Sequence, residues 1–157
     1  MSVIIVDGQP VPIESLYGDI HPIPIRPIGF VVRDECLKRR QDPDDVSEIR
    51  LLPGMDRFML GLEDETSLVV LWHFDQAQSV RTCFPRGWDG KEVGPFASRT
   101  PHRLTPIGVS DVQLLKVRGT TLVVRGLEAF DGTPVLDIKV SLESLRQGGR
   151  RAGASPR

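Results

Sequence analysis

Leu136-Asp137-Ile138-Lys139-Val140-Ser141-Leu142 is the stretch that decides the fold. Apolar and polar residues alternate through all seven positions. A period of two places successive side chains on opposite faces of an extended strand, so Leu136, Ile138, Val140 and Leu142 are expected to form one core face. Upstream, Ile49 and Leu51 alternate with Glu48 and Arg50, and Leu122 and Val124 alternate with Thr121, Val123 and Arg125. Two further runs, residues 23–32 and 68–74, are continuously apolar apart from prolines in the first, and read as strands buried more fully. Asp7-Gly8, Asp89-Gly90 and Asp131-Gly132 are turn dipeptides, and Arg118-Gly119-Thr120 divides two strand runs. Glycine after aspartate supplies the positive φ of a tight hairpin.

With thirteen prolines and fifteen glycines punctuating such runs, the sequence predicts an all-β chain: a single small antiparallel β-barrel, closed or nearly so, with few short helices. One short helix or irregular turn is expected around residues 53–61, where Met55, Phe58, Met59 and Leu62 recur at helical spacing. Residues 1–20 read as an appended hairpin, 21–145 as the barrel domain and 146–157 as a flexible basic tail.

A chain of 157 residues fits one domain and buries about 70% of the surface its unfolded form exposes, so it needs no staple. No apolar run approaches the roughly 20 residues of a membrane-spanning helix, and the N-terminus lacks the basic flank and apolar stretch of a signal peptide. The two isolated cysteines, Cys36 and Cys83, fit reduced thiols in a cytoplasmic protein. Neither they nor His21, His73 and His102 have metal-site spacing, so no metal is expected. Net charge is −1, so any nucleic-acid contact must come from local clusters. Candidates are Lys38-Arg39-Arg40, Arg81 with Arg86, Arg99 with Arg103, and Arg146, Arg150 and Arg151; most such clusters are solvated surface charge.

Two segments carry candidate chemistry. Residues 94–108 combine three prolines with polar and basic side chains, giving a stiff loop that loses little entropy on binding and offers Arg99, His102 and Arg103 as donors. The same residues read equally well as a rigid connection between strands. Residues 126–139 place Glu128, Asp131 and Asp137 close together, and carboxylates there could bind ribose hydroxyls or offset a cation; a turn feeding a strand is part of that reading.

The ordered motifs Pro27-Ile28-Gly29-Phe30-Val31, Gly61-Leu62-Glu63, Phe96-Ala97-Ser98-Arg99-Thr100-Pro101-His102-Arg103, Pro106-Ile107-Gly108 and Asp131-Gly132-Thr133-Pro134-Val135-Leu136-Asp137-Ile138-Lys139 resemble the TrmO (TsaA/YaeB-like) family of tRNA N6-threonylcarbamoyladenosine methyltransferases across residues 27–140. The resemblance implies a β-barrel homodimer that binds S-adenosylmethionine and methylates N6 of threonylcarbamoyladenosine beside the tRNA anticodon. No glycine fingerprint of a doubly wound methyltransferase is present. By resemblance the cofactor contacts are Asp75 and Gln76 after the 68–74 run, Arg99, Pro106, Ile107 and Gly108, and Leu127, Glu128, Ala129, Phe130 and Asp131; Arg40-Gln41 corresponds to an Arg-Gln pair of an earlier loop. No catalytic base is assigned, although Asp137 or His102 could accept a proton. Departures include Arg103-Leu104-Thr105-Pro106 for the family's Arg-Pro-Asn-Pro, Asp64-Glu65-Thr66-Ser67 for Gly-Phe-Ser-His, and Asp75 for a histidine. The competing readings are a same-fold methyltransferase for another acceptor and a non-catalytic nucleotide- or RNA-binding barrel.

Overall fold

The structure, a computed structural model, describes residues 2–38 and 42–152. In chain order its strands are β1 (Val3–Val6), β2 (Gln9–Pro12), β3 (Gly29–Val32), β4 (Val46–Leu51), β5 (Ser67–His73), β6 (Phe84–Pro85), β7 (Glu92–Val93), β8 (Ile107–Arg118), β9 (Thr121–Arg125) and β10 (Pro134–Val140). Its α-helices are α1 (Ile13–Tyr17) and α2 (Leu142–Ala152). The residues fall into two compact units, Met1–Ile25 with Phe74–Gly108 and Arg26–His73 with Val109–Arg157.

The second unit holds the expected barrel, closed and antiparallel in the order β10-β3-β4-β9-β8-β5. Alternation sets its core. Ile49, Leu68, Val70, Leu122, Val124 and Val135 are fully buried. Trp72 is also buried, and its indole N–H donates to Ser110 Oγ at 3.1 Å, so the one polar atom of that ring is satisfied inside. Gly29 pairs with Leu51, and a Cβ there would stand 2.5 Å from the Arg50 carbonyl oxygen and 2.8 Å from Leu51 Cα. Only glycine lets the two backbones approach so closely.

Three sequence expectations are corrected. The run 23–32 is strand only from Gly29; Ile23 and Ile25 are exposed, because Pro22, Pro24 and Pro27 have no N–H to give a ladder. In residues 136–142 the anticipated core face is not the buried one. The register of β10 against β5 shifts between Val135 and Asp137, so Val135 takes the core position, while Val140 is exposed and Leu142 opens α2. The run 68–74 alternates between buried Leu68, Val70 and Trp72 and half-buried neighbours. Residues 53–61 contain a single 3-10 turn, Met55–Phe58, followed by another at Leu62–Asp64.

In the first unit β1 and β2 form a hairpin through Asp7-Gly8, with Val6 opposite Gln9. The hairpin is fixed to residues 80–82. Asp7 N–H donates to the Val80 carbonyl at 2.9 Å, Val80 N–H donates to the Ile5 carbonyl at 2.7 Å, and Val6 bridges Val80 in parallel. The Asp7 carboxylate accepts the Thr82 N–H at 2.9 Å and the Thr82 hydroxyl. A second short ribbon pairs β6 with β7.

Candidate functional site

Residues 127–131 leave β9 through Gly126, whose φ of +92° favours glycine and whose N–H donates to the Asp45 carbonyl at 3.3 Å. The side chains then alternate. Leu127 and Ala129 are fully buried, Glu128 is exposed, and Phe130 and Asp131 are half-buried. What holds the segment is Arg33, the residue after β3. Its guanidinium donates to the carbonyls of Ala129 at 2.8 Å and Leu127 at 3.3 Å and forms an ion pair with Asp45 at 2.9 Å. Its main-chain N–H donates to Asp131 Oδ1 at 2.8 Å. The turn closes with Gly132, at φ +78°, donating to the Val31 carbonyl and Asp131 N–H donating to the Lys38 carbonyl. The second Asp131 oxygen has no partner among the described residues, which leaves an acceptor for a hydroxyl or an ammonium. Lys38 is held above its ordinary pKa, first by its hydrogen bond to Glu35 and also by the charge of Asp131.

In the first unit the 94–108 loop is stitched by its own groups. Ser98 Oγ donates to the Pro95 carbonyl, Thr100 N–H to Ser98 Oγ, His102 N–H to Thr100 Oγ1, and Arg103 to the Ser98 carbonyl. Arg103 is therefore used internally, whereas Arg99 is exposed and has no hydrogen bond or ion pair among the described residues. His102 Nδ1 lies 3.2 Å from the Ser79 carbonyl, which only accepts, so Nδ1 carries the hydrogen and a neutral ring keeps its lone pair at Nε2. Asp75 and Gln76 are exposed in the turn that ends with Ala77 N–H on the Phe74 carbonyl. Phe74 N–H in turn donates to the Pro106 carbonyl at 2.8 Å, bringing that turn to residues 106–108, of which Gly108 is buried. The same unit contains an apolar concavity of about 430 Å³ with Val6, Leu16, Val80, Arg81, Phe96 and Leu104 in its wall. Its size and lining suit a flat or aliphatic group.

The sequence-predicted residues thus divide between the units. Asp75, Gln76, Arg99, Pro106, Ile107 and Gly108 belong to the first, and Leu127 to Asp131 to the second. Asp137 is engaged, its Oδ1 by the Ile138 N–H and its Oδ2 by Lys139. Of Lys38-Arg39-Arg40 and Arg40-Gln41 only Lys38 lies within the described residues. Arg146 lies on α2, as do Arg150 and Arg151 by their backbone. Sequence reasoning missed Arg33 and Asp45. The available signal was an arginine two places after Val31, on the face where the alternation calls for a core residue.

Fold and site chemistry together define an all-β protein that carries its polar, ligand-ready groups on loops rather than on a strand–glycine-loop–helix unit. Residues 13–145 match the family profile described as the tRNA-methyltransferase O N-terminal domain, and the chain belongs to that family. It is 38% identical over 129 residues to a probable S-adenosyl-L-methionine-binding protein of Methanothermobacter thermautotrophicus, covering 78% of this chain and 93% of the relative. It is 31% identical over 107 residues to the mouse tRNA (adenine(37)-N6)-methyltransferase, covering 66% of this chain and 23% of the mouse protein. The crystal structure of TrmO from Pseudomonas aeruginosa superposes with a TM-score of 0.60 at 30% identity, over 79% of this chain and 58% of that one. The chain therefore spans a little over half of that structure and about a quarter of the mouse protein and of one Archaeoglobus fulgidus relative.

Proposed function

We propose that this chain is an S-adenosylmethionine-dependent tRNA methyltransferase that methylates N6 of threonylcarbamoyladenosine next to the anticodon, working as a homodimer in the cytoplasm. The observation that carries the reading is the second carboxylate oxygen of Asp131, unspent on a segment of the second unit that is clamped from within; the first unit, taken by itself, adds the unspent Arg99 guanidinium on a self-stitched loop. Their chemistry fits the donor molecule. A guanidinium matches its carboxylate, a carboxylate matches its ribose hydroxyls or ammonium, and half-buried Phe130 offers a flat apolar face. Asp75, Gln76, Pro106, Ile107, Gly108, Leu127, Glu128 and Ala129 complete the contact set. Because the Leu127 and Ala129 side chains are buried and their carbonyls accept from Arg33, these two residues contribute through their main-chain N–H groups.

When bound, S-adenosylmethionine supplies a methyl group activated by a positively charged sulfur. The chain's own task is orientation, and holding reactants in line is worth about 7–11 kcal/mol of a barrier. Stiff elements do this with little entropy left to lose. An adenine N6 that carries a carbonyl substituent is a weak nucleophile, so loss of its proton assists transfer. His102 Nε2 can receive a proton, whereas Asp137 is already engaged on both oxygens. The exposed apolar residues Leu142 and Leu145, three apart on α2, support self-association.

The decisive experiment incubates the purified full chain with S-adenosylmethionine and tRNA carrying threonylcarbamoyladenosine, followed by nucleoside mass spectrometry. Appearance of the N6-methylated nucleoside is expected. Cofactor binding without that product turns the reading to another methyl acceptor, and RNA binding without cofactor binding turns it to a non-catalytic module.

A further inference from the structure

Arg33 is an expensive residue to keep. Its side chain is fully buried, and a guanidinium taken from water costs several kcal/mol unless it is paired and hydrogen-bonded. The pairing it finds is incomplete: Nε has no partner among the described residues. Replacing a buried ion pair by well-fitted apolar side chains is often neutral or stabilising, so barrel stability alone does not account for this one. Its geometry does. One residue reaches the 127–131 segment at three points: the carbonyls of Leu127 and Ala129 through the guanidinium, and the carboxylate of Asp131 through the main-chain N–H. Asp45 secures the arrangement from the other side, pairing with the guanidinium by its carboxylate and accepting the Gly126 N–H by its carbonyl. Alternate carbonyls are thereby turned inward, while the intervening Glu128 is exposed and Phe130 is half-buried.

We propose that Arg33, held by Asp45, is a positioning residue that sets the 127–131 segment for cofactor contact. The inference rests on the reading that this segment touches S-adenosylmethionine. Lysine would preserve the charge opposite Asp45 but lacks the planar fork needed to bind that carboxylate and two carbonyls together.

The test uses the full chain in three forms: parent, Arg33→Lys, and the double variant Arg33→Met/Asp45→Leu, which replaces the buried pair by apolar groups. Circular dichroism gives the melting point. Hydrogen exchange compares residues 127–131 with β4 and β9, and calorimetry gives affinity for S-adenosylmethionine. Both variants are expected to keep the barrel amides protected, to lose protection in 127–131, and to bind the cofactor at least tenfold more weakly. A folded variant that binds within twofold of the parent overturns the proposal. So does loss of the whole barrel in both variants, which would assign the pair to stability. A parent chain that ignores S-adenosylmethionine overturns the cofactor reading instead, and is recognised before any substitution is made.

Discussion

At the scale of single residues, usefulness here is a matter of what each polar group has left after folding. Arg103, Asp137 and the Nδ1 atom of His102 are committed to neighbours, while Arg99 is committed to none among the described residues. Arg99→Ala should therefore leave the melting point unchanged and weaken S-adenosylmethionine binding at least tenfold, about 1.4 kcal/mol. Titration calorimetry on the folded variant checks this, and unchanged affinity would remove Arg99 from the contact set. Arg33 is the opposite case, a fully buried cation whose two terminal nitrogens are spent inside the molecule, and its role could not be read from the sequence. Its partners lie 12 and more than 90 positions away, and no periodicity links charges across such distances.

Among elements, the barrel strands were largely legible because one wet face and one dry face leave a period of two in the chain. The failures have local causes. Three prolines turned an apolar run into exposed chain before β3, and a register shift in β10 moved the buried position to Val135. A bulge adds a residue without changing hydropathy, so alternation cannot reveal it. The loop stiffness of residues 94–108 was visible in its prolines, but not the hydrogen bonds that stitch it. The hairpin's attachment was not visible either, since it turns on the Asp7 carboxylate. Hydrogen bonds from the Thr82 hydroxyl and then the Thr82 N–H hold Asp7 below its ordinary value of 3.8. A carboxyl group with a depressed folded pKa contributes attachment that is present above the unfolded value and lost as pH falls through the folded one. After correction for intrinsic rates, exchange at the Val80 and Thr82 amides should rise as pH drops below 3.8. Asp7→Asn should weaken protection already at neutral pH and abolish that acid step. An unaltered acid step in the variant would show that another group fastens the hairpin.

For the molecule as a whole, family membership accounts for the barrel, whereas assembly has to be read from surface chemistry. Leu142 is 66% exposed and Leu145 57%, on the same side of α2. Sedimentation equilibrium should find a dimer for the parent chain and mainly monomer for Leu142→Glu/Leu145→Glu, with the barrel's circular dichroism retained. A dimer that survives the double substitution would place the contact elsewhere.

Closure of the six-strand ladder has a consequence for how crowded copies behave. A hoop of hydrogen bonds presents no unpaired rim onto which another molecule's chain can be laid, so fibre growth by stacking finds no template there. The two small ribbons do have rims, and one strand of each carries proline, Pro10 and Pro12 in β2 and Pro85 in β6, each lacking the amide hydrogen that a templated neighbour would have to meet. Among the described residues, amyloid-like growth is thus opposed in two ways, by joining six strands into a ring and by blunting one strand of each ribbon outside it.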